Sequence, residues 1–550
     1  MKEIGGKIVV KMLEELGVKY VFGVPGGQTL SVTDAIIDSN IEFIHTRHEG
    51  GAAAAADCYG RITGEPGVCL ATTGPGATNL ITGIGGAYRD SSPLIALLFQ
   101  NKLPDTGKCD AQECDHAAIF SSIVKSVISV KNAQTIPWAL REAYRVATTG
   151  KPGPVVVDLY RDVVEEQQAE YKNVLRDSYK IDANFCPTEV EIEKAANVIA
   201  NSKKICIWAG QGVKMAKAGD EVLKLAMMIG APIVTTYNAL GVFAGDHENV
   251  FGPRSRHGSA LTRRVLEEAD CVIVLGSSLS AVTTNRWSIK LNNIIQIDIS
   301  AENIGRHYPV SIGLIGEIKK TLDQLLAVIS AKGFIADTGF LKEMQAYRAK
   351  WKKEVLTGPI VDENATPVPP LAVIQQLERQ IKENSVIACD AGNPGAWLHI
   401  ISMPKGIEFM KPVNYGNMGF ALPGAIAGKL ACPDREVIAI LGDGSLGMTL
   451  AELETAAREK LPIIILLLND SAYGNIKQEE LWKTKQQRYV GVDFINVNYI
   501  EVAKALGCDG VIVNKAKDIP AAFARAREST KPFMIEIKLN GSFSVWPEVF

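Results

Sequence analysis

The sequence predicts an α/β protein of three domains, each a parallel sheet flanked by helices. Short apolar runs ending in turn residues alternate with helix-like segments throughout, which is the pattern of parallel α/β sheets. A chain of 550 residues is also too long for a single hydrophobic core. Two polar stretches, one of them mixing Pro with acidic residues, interrupt the alternation where boundaries are needed.

In order, "MKEIGGKIVVKMLEELGVKY" opens the chain with the spacing of an amphipathic helix. Strands follow at "YVFGVPGG" (20–27), "GVCLATTGPG" (67–76), "PLIALLFQ" (93–100) and "GPVVVDLY" (153–160). Between them, "GGAAAAADCYGRITG" and "ATNLITGIGGAYRDS" have the small residues of tightly packed helices. The polar stretch 165–189 reads as a first linker. A second block has strands "KICIWAG" (204–210), "PIVTTY" (232–237), "CVIVLGSS" (271–278) and "NIIQIDIS" (293–300), and then a charged helical passage leads to "LTGPIVDENATPVPP" (356–370). The last block has strands "SVIACDAG" (385–392), "EVIAILGDG" (436–444), "PIIILLLND" (462–470) and "PFMIEIKL" (532–539). The expected domains are residues 1–165, 188–335 and 366–550. The first and third invite comparison, but no repeat is legible between them.

Composition narrows the function. Hydrophobic residues make up 47% and charged residues 22%, with a formal charge of −3 and a pI near 6.2. That balance leaves no basic footprint for nucleic acid or an anionic membrane. No apolar run approaches a membrane span and the first residues lack an apolar signal core, so a cytoplasmic protein is expected. Ten cysteines include no C-x-x-C pair, and they read as thiols of a reducing compartment.

The chemistry concentrates in "LGDGSLGMTLAEL" (441–453). From Gly442 it spells G-x-G-x-x-G after a strand and before a helix, a turn that offers free backbone N–H groups to phosphate. Thr449 and Glu452 have capping-box spacing, so the helix is expected to begin there. A Rossmann-type oxidoreductase using NAD or FAD is one reading, with Asp470 as its ribose ligand. Asp443 opposes it, because a carboxylate facing a pyrophosphate repels it unless a cation lies between them. Asp443 and Asp470, at the ends of successive strands, are hard oxygen ligands suited to Mg²⁺. A diphosphate–Mg²⁺ site is therefore the preferred expectation.

"GDGSLGMTLAELETAAREKLPIIILLLND" resembles the thiamine-diphosphate motif, which begins G-D-G and ends in two asparagines. "VFGVPGG", "RHEGGAAAAADCYGRITG", "TTGPGATNLITGI" and "GKPGPVVVDL" are similar to the pyrimidine-binding domain of the acetohydroxyacid synthase group, and "YGNMGFALPGAIAGKLA" to its aminopyrimidine segment. The resemblance covers all three domains, as pyrimidine-binding, central and diphosphate-binding. It implies that Glu49 hydrogen-bonds the aminopyrimidine and drives the cofactor's own proton transfer. It also implies that Gly416 and Met418 hold and bend the cofactor, and that Gly442, Gly444, Ser445, Gly474 and the turn at Gly392 and Asn393 contact it. The metal would lie on Asp443, Asp470 and the Ala472 carbonyl, with Asp470 standing where the family has its second asparagine. The family's sites lie between subunits, which implies a homodimer or homotetramer.

Other segments depart from the group. Val282 replaces the acceptor-binding arginine of its middle domain, and Glu479 replaces a tryptophan beyond the metal loop. The substrate-facing F-Q-E reads Ala111, Gln112 and Glu113. The pocket is expected to be roomier, more acidic and without the family's carboxylate clamp, with Gln112 supplying an amide to substrate. FAD is slightly disfavoured, because "GSSLSAVTT" (276–284) lacks the charged partners of a flavin site. The expected activity is that of a lyase or carboligase acting on a 2-keto acid or 2-hydroxy ketone, forming an enamine that passes to an acceptor. The alternative is a non-oxidative decarboxylase with His116 as proton donor.

Overall fold

A computed structural model describes residues 2–171 and 185–545, so residues 172–184 of the expected first linker lie outside the described residues. Every apolar run quoted above forms a strand, and the strands assemble into three six-stranded parallel sheets. The first sheet runs Glu42–His45, Tyr20–Gly23, Gly67–Ala71, Leu94–Gln100, Pro154–Tyr160, Ser126–Val130. The third runs Glu408–Met410, Val386–Cys389, Val437–Gly442, Ile464–Asn469, Phe533–Lys538, Asp509–Val513. Numbered by chain order within each sheet, both read 2-1-3-4-6-5. The repeat that the residues conceal is plain in the topology.

The central sheet runs Val250–Pro253, Ile233–Thr235, Ile205–Ala209, Cys271–Leu275, Ile294–Asp298, Ile312–Ile315, which is the order 3-2-1-4-5-6. This is the Rossmann order. It belongs to the central domain and not to the domain that carries the G-x-G-x-x-G turn, so that turn lacks the sheet that the dinucleotide reading requires.

Small residues set how the outer domains meet. Helix Glu49–Thr63 carries an alanine run and packs against Ala421–Ala431 of the third domain. A methyl added at Gly424 would stand 2.6 Å from Cys58 Sγ. With backbones this close, one continuous apolar cluster draws residues from both sheets, from Phe22 to Met534.

A buried ion network ties in the central domain. Arg61 donates to both Asp57 oxygens at 2.7 Å, to Asp90 Oδ2 at 3.3 Å and to the Lys411 carbonyl at 3.0 Å. Asp90 accepts from the Asn414 backbone and side-chain amides at 3.1 and 2.7 Å, while its own carbonyl accepts from Gln211 at 2.8 Å. The three charged side chains are at most 5% exposed. Removing one partner of such a network leaves buried charge uncompensated. Arg61→Met is therefore expected to destabilise the protein by about 3–5 kcal/mol, read as a lowered urea midpoint. An unchanged midpoint would show that the network is dispensable.

Candidate active site

The C-terminal ends of the third sheet's middle strands build one half of the site. Asp443 follows Val437–Gly442 directly and Asp470 follows Ile464–Asn469. Asn469 turns back into the sheet, donating to Glu536 Oε1 at 2.7 Å and accepting from the Ser471 amide at 2.9 Å. That fixes the turn that presents Asp470. The segment beyond it is clamped by Tyr473 N–H to the Val492 carbonyl and Phe494 N–H to the Ser471 carbonyl, each at 2.8 Å. Ala472 is thereby held in place beside the carboxylates.

Asp443 is 2% exposed and its Oδ2 has no hydrogen-bond partner. Burial, then the neighbouring Asp470, pushes its pKa up to about 7. Burial likewise pushes Asp470 up to about 6. Buried Asp443 beside half-buried Asp470, with one orphaned oxygen, fits a divalent cation better than any arrangement of the chain's own groups. Among the described residues no three His, Cys, Asp or Glu side chains cluster to hold a metal. An ion here would draw further oxygens from the Ala472 carbonyl and from a bound diphosphate.

The surrounding turns leave room for that ligand. Gly392 has φ +90°, a conformation side-chain-bearing residues rarely adopt, and it caps the short helix Asn393–Ala396. Pro394 of that turn lies against Gly442. Asn393 Oδ1 accepts from Asn475 Nδ2 at 2.8 Å, and a side chain on Gly474 would collide with Asp470 Oδ2. Tyr473, edge-on to Phe494 at 4.7 Å, lies against Gly444. Ser445 is buried in the same turn. Gly416, at φ +73°, and Met418 belong to the turn before Ala421–Ala431. That turn approaches Met448 and Thr449 through Gly419.

The helix after the glycine turn begins at Asp443 and not at Thr449. Glu452 makes no capping box with Thr449. Its carboxylate instead accepts from the Arg47 and His48 amides at 3.1–3.2 Å, across the domain boundary, and from Thr455 Oγ1 at 2.7 Å. Of the two residues that the spacing marks, only Glu452 accepts backbone amides, and these are distant in the chain; Thr449 caps no helix.

The other half of the site stands on the first sheet. Glu49 begins helix Glu49–Thr63, and its Oε2 accepts from Asn79 Nδ2 at 2.9 Å. The loop at Gly74–Gly76 links Glu49 to Gln112: Gly76 approaches Glu49 Oε1, and Gly74 lies against the Gln112 carbonyl. Ala111 and Gln112 are exposed, with Gln112 at φ +64°. His116 departs from expectation. It is fully buried, with Nδ1 2.8 Å from Asp158 Oδ1 and Nε2 accepting from the Gly74 amide at 3.4 Å. Both ring nitrogens are engaged in bracing the loop, so His116 faces no substrate. Among the described hydrogen bonds and ion pairs, none joins Glu49 or Gln112 to the Asp443–Asp470 cluster.

Glu479 also differs from the expected acidic pocket wall. Its Oε1 lies 3.2 Å from Arg256 and 2.6 Å from Lys483. Neither cation was singled out by the sequence, since Arg256 lies more than two hundred positions away. Asn79, Asn475 and Tyr473 were missed too, although Asn475 directly follows a quoted glycine.

A third feature lies at the switch point of the central sheet, between Ile205–Ala209 and Cys271–Leu275. A cavity of about 280 Å³ is lined by Gly212, Ser277 and Asp298 of the central domain, Arg89 and Lys151 of the first and Asn414 of the third. Arg89, Lys151 and Asp298 thus place charge at this cavity, although 276–284 carries none. No helix among the described residues is long and apolar enough to cross a membrane.

Two equivalent outer sheets, a carboxylate pair at a glycine turn and a central Rossmann-type sheet are the arrangement that a three-domain thiamine-diphosphate enzyme calls for. The chain matches the thiamine pyrophosphate enzyme N-terminal TPP binding domain over residues 4–119, the central domain over 192–325 and the C-terminal TPP binding domain over 390–537. It belongs to the thiamine pyrophosphate enzyme family. It is 33% identical to a probable acetolactate synthase large subunit of Methanocaldococcus jannaschii, over 98% of this chain and 92% of that protein. It is 34% identical to the acetolactate synthase large subunit of Corynebacterium glutamicum, over 99% and 88% respectively. An acetolactate synthase of Mycobacterium bovis is 31% identical over 99% of this chain and 89% of its own length.

The carboxylate pair has a pH signature. Asp443 titrates near 3.8 in an ordinary environment and at about 7 here, so without metal the folded state binds its proton more tightly than the unfolded state. Its burial is neutral at low pH and increasingly destabilising as pH rises toward 7. In EDTA at about pH 8, Asp443→Asn is expected to stabilise the protein by about 1–3 kcal/mol, with the gain shrinking as pH falls toward about 5. The same variant should lose Mg²⁺-dependent retention of thiamine diphosphate. Thermal unfolding at both pH values checks the first outcome, and gel filtration with cofactor checks the second.

Proposed function

We propose that the protein is a thiamine-diphosphate- and Mg²⁺-dependent carboligase of the acetolactate synthase type. It decarboxylates a 2-keto acid, or cleaves a 2-hydroxy ketone, and joins the remaining fragment to an acceptor carbonyl. The observation that carries this is buried Asp443, with its unpartnered Oδ2, beside half-buried Asp470 at the glycine turn. Asp443, Asp470 and the Ala472 carbonyl would hold the ion, and Gly392, Asn393, Gly444 and Ser445 the diphosphate. Thiamine diphosphate held there would supply a nucleophilic thiazolium carbon and an electron sink for C–C cleavage.

The chain's own groups bind, orient and move protons. Glu49 would exchange a proton with the aminopyrimidine, its second oxygen steadied by Asn79. Gly416 and Met418 would hold the ring opposite. Gln112, on its loop braced by His116, would donate its amide to a substrate oxygen. Glu49 and Asp443 stand on different domains, and the reading takes Glu49 of one subunit to meet the carboxylates of another, as the family resemblance implies. The plain decarboxylase reading loses support, since His116, its expected proton donor, faces away from substrate.

The central cavity is read as a nucleotide site in which flavin is the disfavoured occupant. Arg89 and Lys151 suit phosphate, while no aromatic side chain among its described lining residues is placed to stack an isoalloxazine ring. Protein purified and denatured is expected to release adenine absorbance without flavin absorbance; a released flavin would overturn that assignment.

Glu49→Gln should bind thiamine diphosphate nearly as wild type while exchange of the cofactor's thiazolium proton slows by about 10²–10⁴-fold, followed by NMR. Unchanged exchange would remove Glu49 from the mechanism. Mass spectrometry of products from a panel of 2-keto acids and aldehydes identifies donor and acceptor. Products limited to the decarboxylated aldehyde would reject carboligation.

A further inference from the structure

We propose that Asp390 is a positioning residue for the cofactor: its carboxylate ties the turn bearing Gly416 and Met418 to the strand that leads into the diphosphate turn. The role rests on the thiamine-site reading above and deepens it, since it fixes the two ends of one ligand relative to each other. Asp390 follows strand Val386–Cys389 directly and stands just before Ala391 and Gly392. Its amide donates to the Ile440 carbonyl at 2.9 Å, which continues the sheet beside the strand that leads to Asp443. The Asp390 backbone is therefore part of the diphosphate cradle.

The side chain serves the ring-holding turn instead. Asp390 is fully buried, and each carboxylate oxygen takes one amide, Oδ1 from Phe420 at 3.0 Å and Oδ2 from Ala421 at 3.2 Å. These amides open helix Ala421–Ala431, where N–H groups lack intrahelical partners and the dipole favours an anion. Burial raises the Asp390 carboxyl to about 6 against the pull of both amides and of Lys411, so it is ionised at neutral pH. Lys411 closes the arrangement. Its buried Nζ donates to the Asp390 carbonyl at 2.7 Å, and a side chain on Gly395 of helix Asn393–Ala396 would collide with it.

Buried acids hold the ring-holding turn at both ends. Asp90 takes two amides of Asn414 at its start, and Asp390 takes those of Phe420 and Ala421 at its end. Between these anchors the chain forms neither helix nor strand, and Gly416 and Gly419 have φ of +73° and +80°. Its path is thus set by the anchors. Asp90 belongs to the first domain, whereas Asp390 joins the turn to the cradle.

Magnesium pyrophosphate and thiamine diphosphate separate the two ends, because pyrophosphate fills the cradle alone. Asparagine at this position keeps the shape but turns an NH2 group toward an amide donor. With full-length protein freed of cofactor by EDTA and returned to Mg²⁺, Asp390→Asn should leave the calorimetric Kd of pyrophosphate within about twofold of wild type. The Kd of thiamine diphosphate should weaken by about 10- to 100-fold. At saturating cofactor, exchange of the thiazolium proton, followed by NMR, should slow by about tenfold or more, since a displaced ring is misaligned for its own proton transfer. The double variant Asp390→Asn/Lys411→Met removes both buried charges, and it should give the same pattern if the single variant folds poorly. Equal weakening of both ligands would make Asp390 a general support of the fold and overturn the proposal. Thiamine diphosphate binding or proton exchange within about twofold of wild type would overturn it as well. Wild-type protein that fails to bind thiamine diphosphate would reject the function proposed above instead.

Discussion

The close approach of helices Glu49–Thr63 and Ala421–Ala431 is the constraint on which the rest of the molecule depends. Alanine and glycine on both faces let two domains share one apolar core in place of a polar interface. Larger side chains would hold the helices apart, since interiors have no slack to absorb extra methylenes. With the two sheets fixed against each other, the turn before each helix reaches a helix of the opposite domain. The Arg47–Glu49 turn meets Glu452, and the Tyr415–Asn417 turn meets Gly85 and Gly86. Both turns are placed by the same contact.

Charge is managed differently at the structural and chemical centres. Around Arg61, two buried acids share one buried base and accept further amide donors, so the cluster is satisfied by protein alone. At Asp443 and Asp470 the acids face each other with no base between them. Burial raises both pKa values. The first cluster is satisfied within the chain, whereas at the second Asp443 Oδ2 is buried without a hydrogen-bond partner.

What the sequence revealed, and what it hid, follows from burial. The strands legible as apolar runs are the interior strands of the three sheets, covered on both faces. Those not read, such as Glu42–His45, Ser126–Val130, Ile312–Ile315 and Asp509–Val513, are edge strands whose exposed positions break the run. In the site, Asp443 was legible because an acid in a glycine turn conflicts with phosphate. The partner of Glu452, the enclosure of His116 and the cations around Glu479 were not. Each depends on residues far apart in the chain that only the fold brings together.

The matching 2-1-3-4-6-5 orders also set the two outer domains in one-to-one register. Where the third sheet ends its middle strands in Asp443 and Asp470, the first ends them at Thr72–Gly74 and Asn101. Asn101 is neutral, and it spends its amide on the Ala111 carbonyl and its oxygen on Gln28. His116 fills the neighbouring space. Of two copies of one module, one ends these strands in paired acids and the other in neutral residues. In the first domain the protein's own side chains fill that position, and the neighbouring loop carries Gln112.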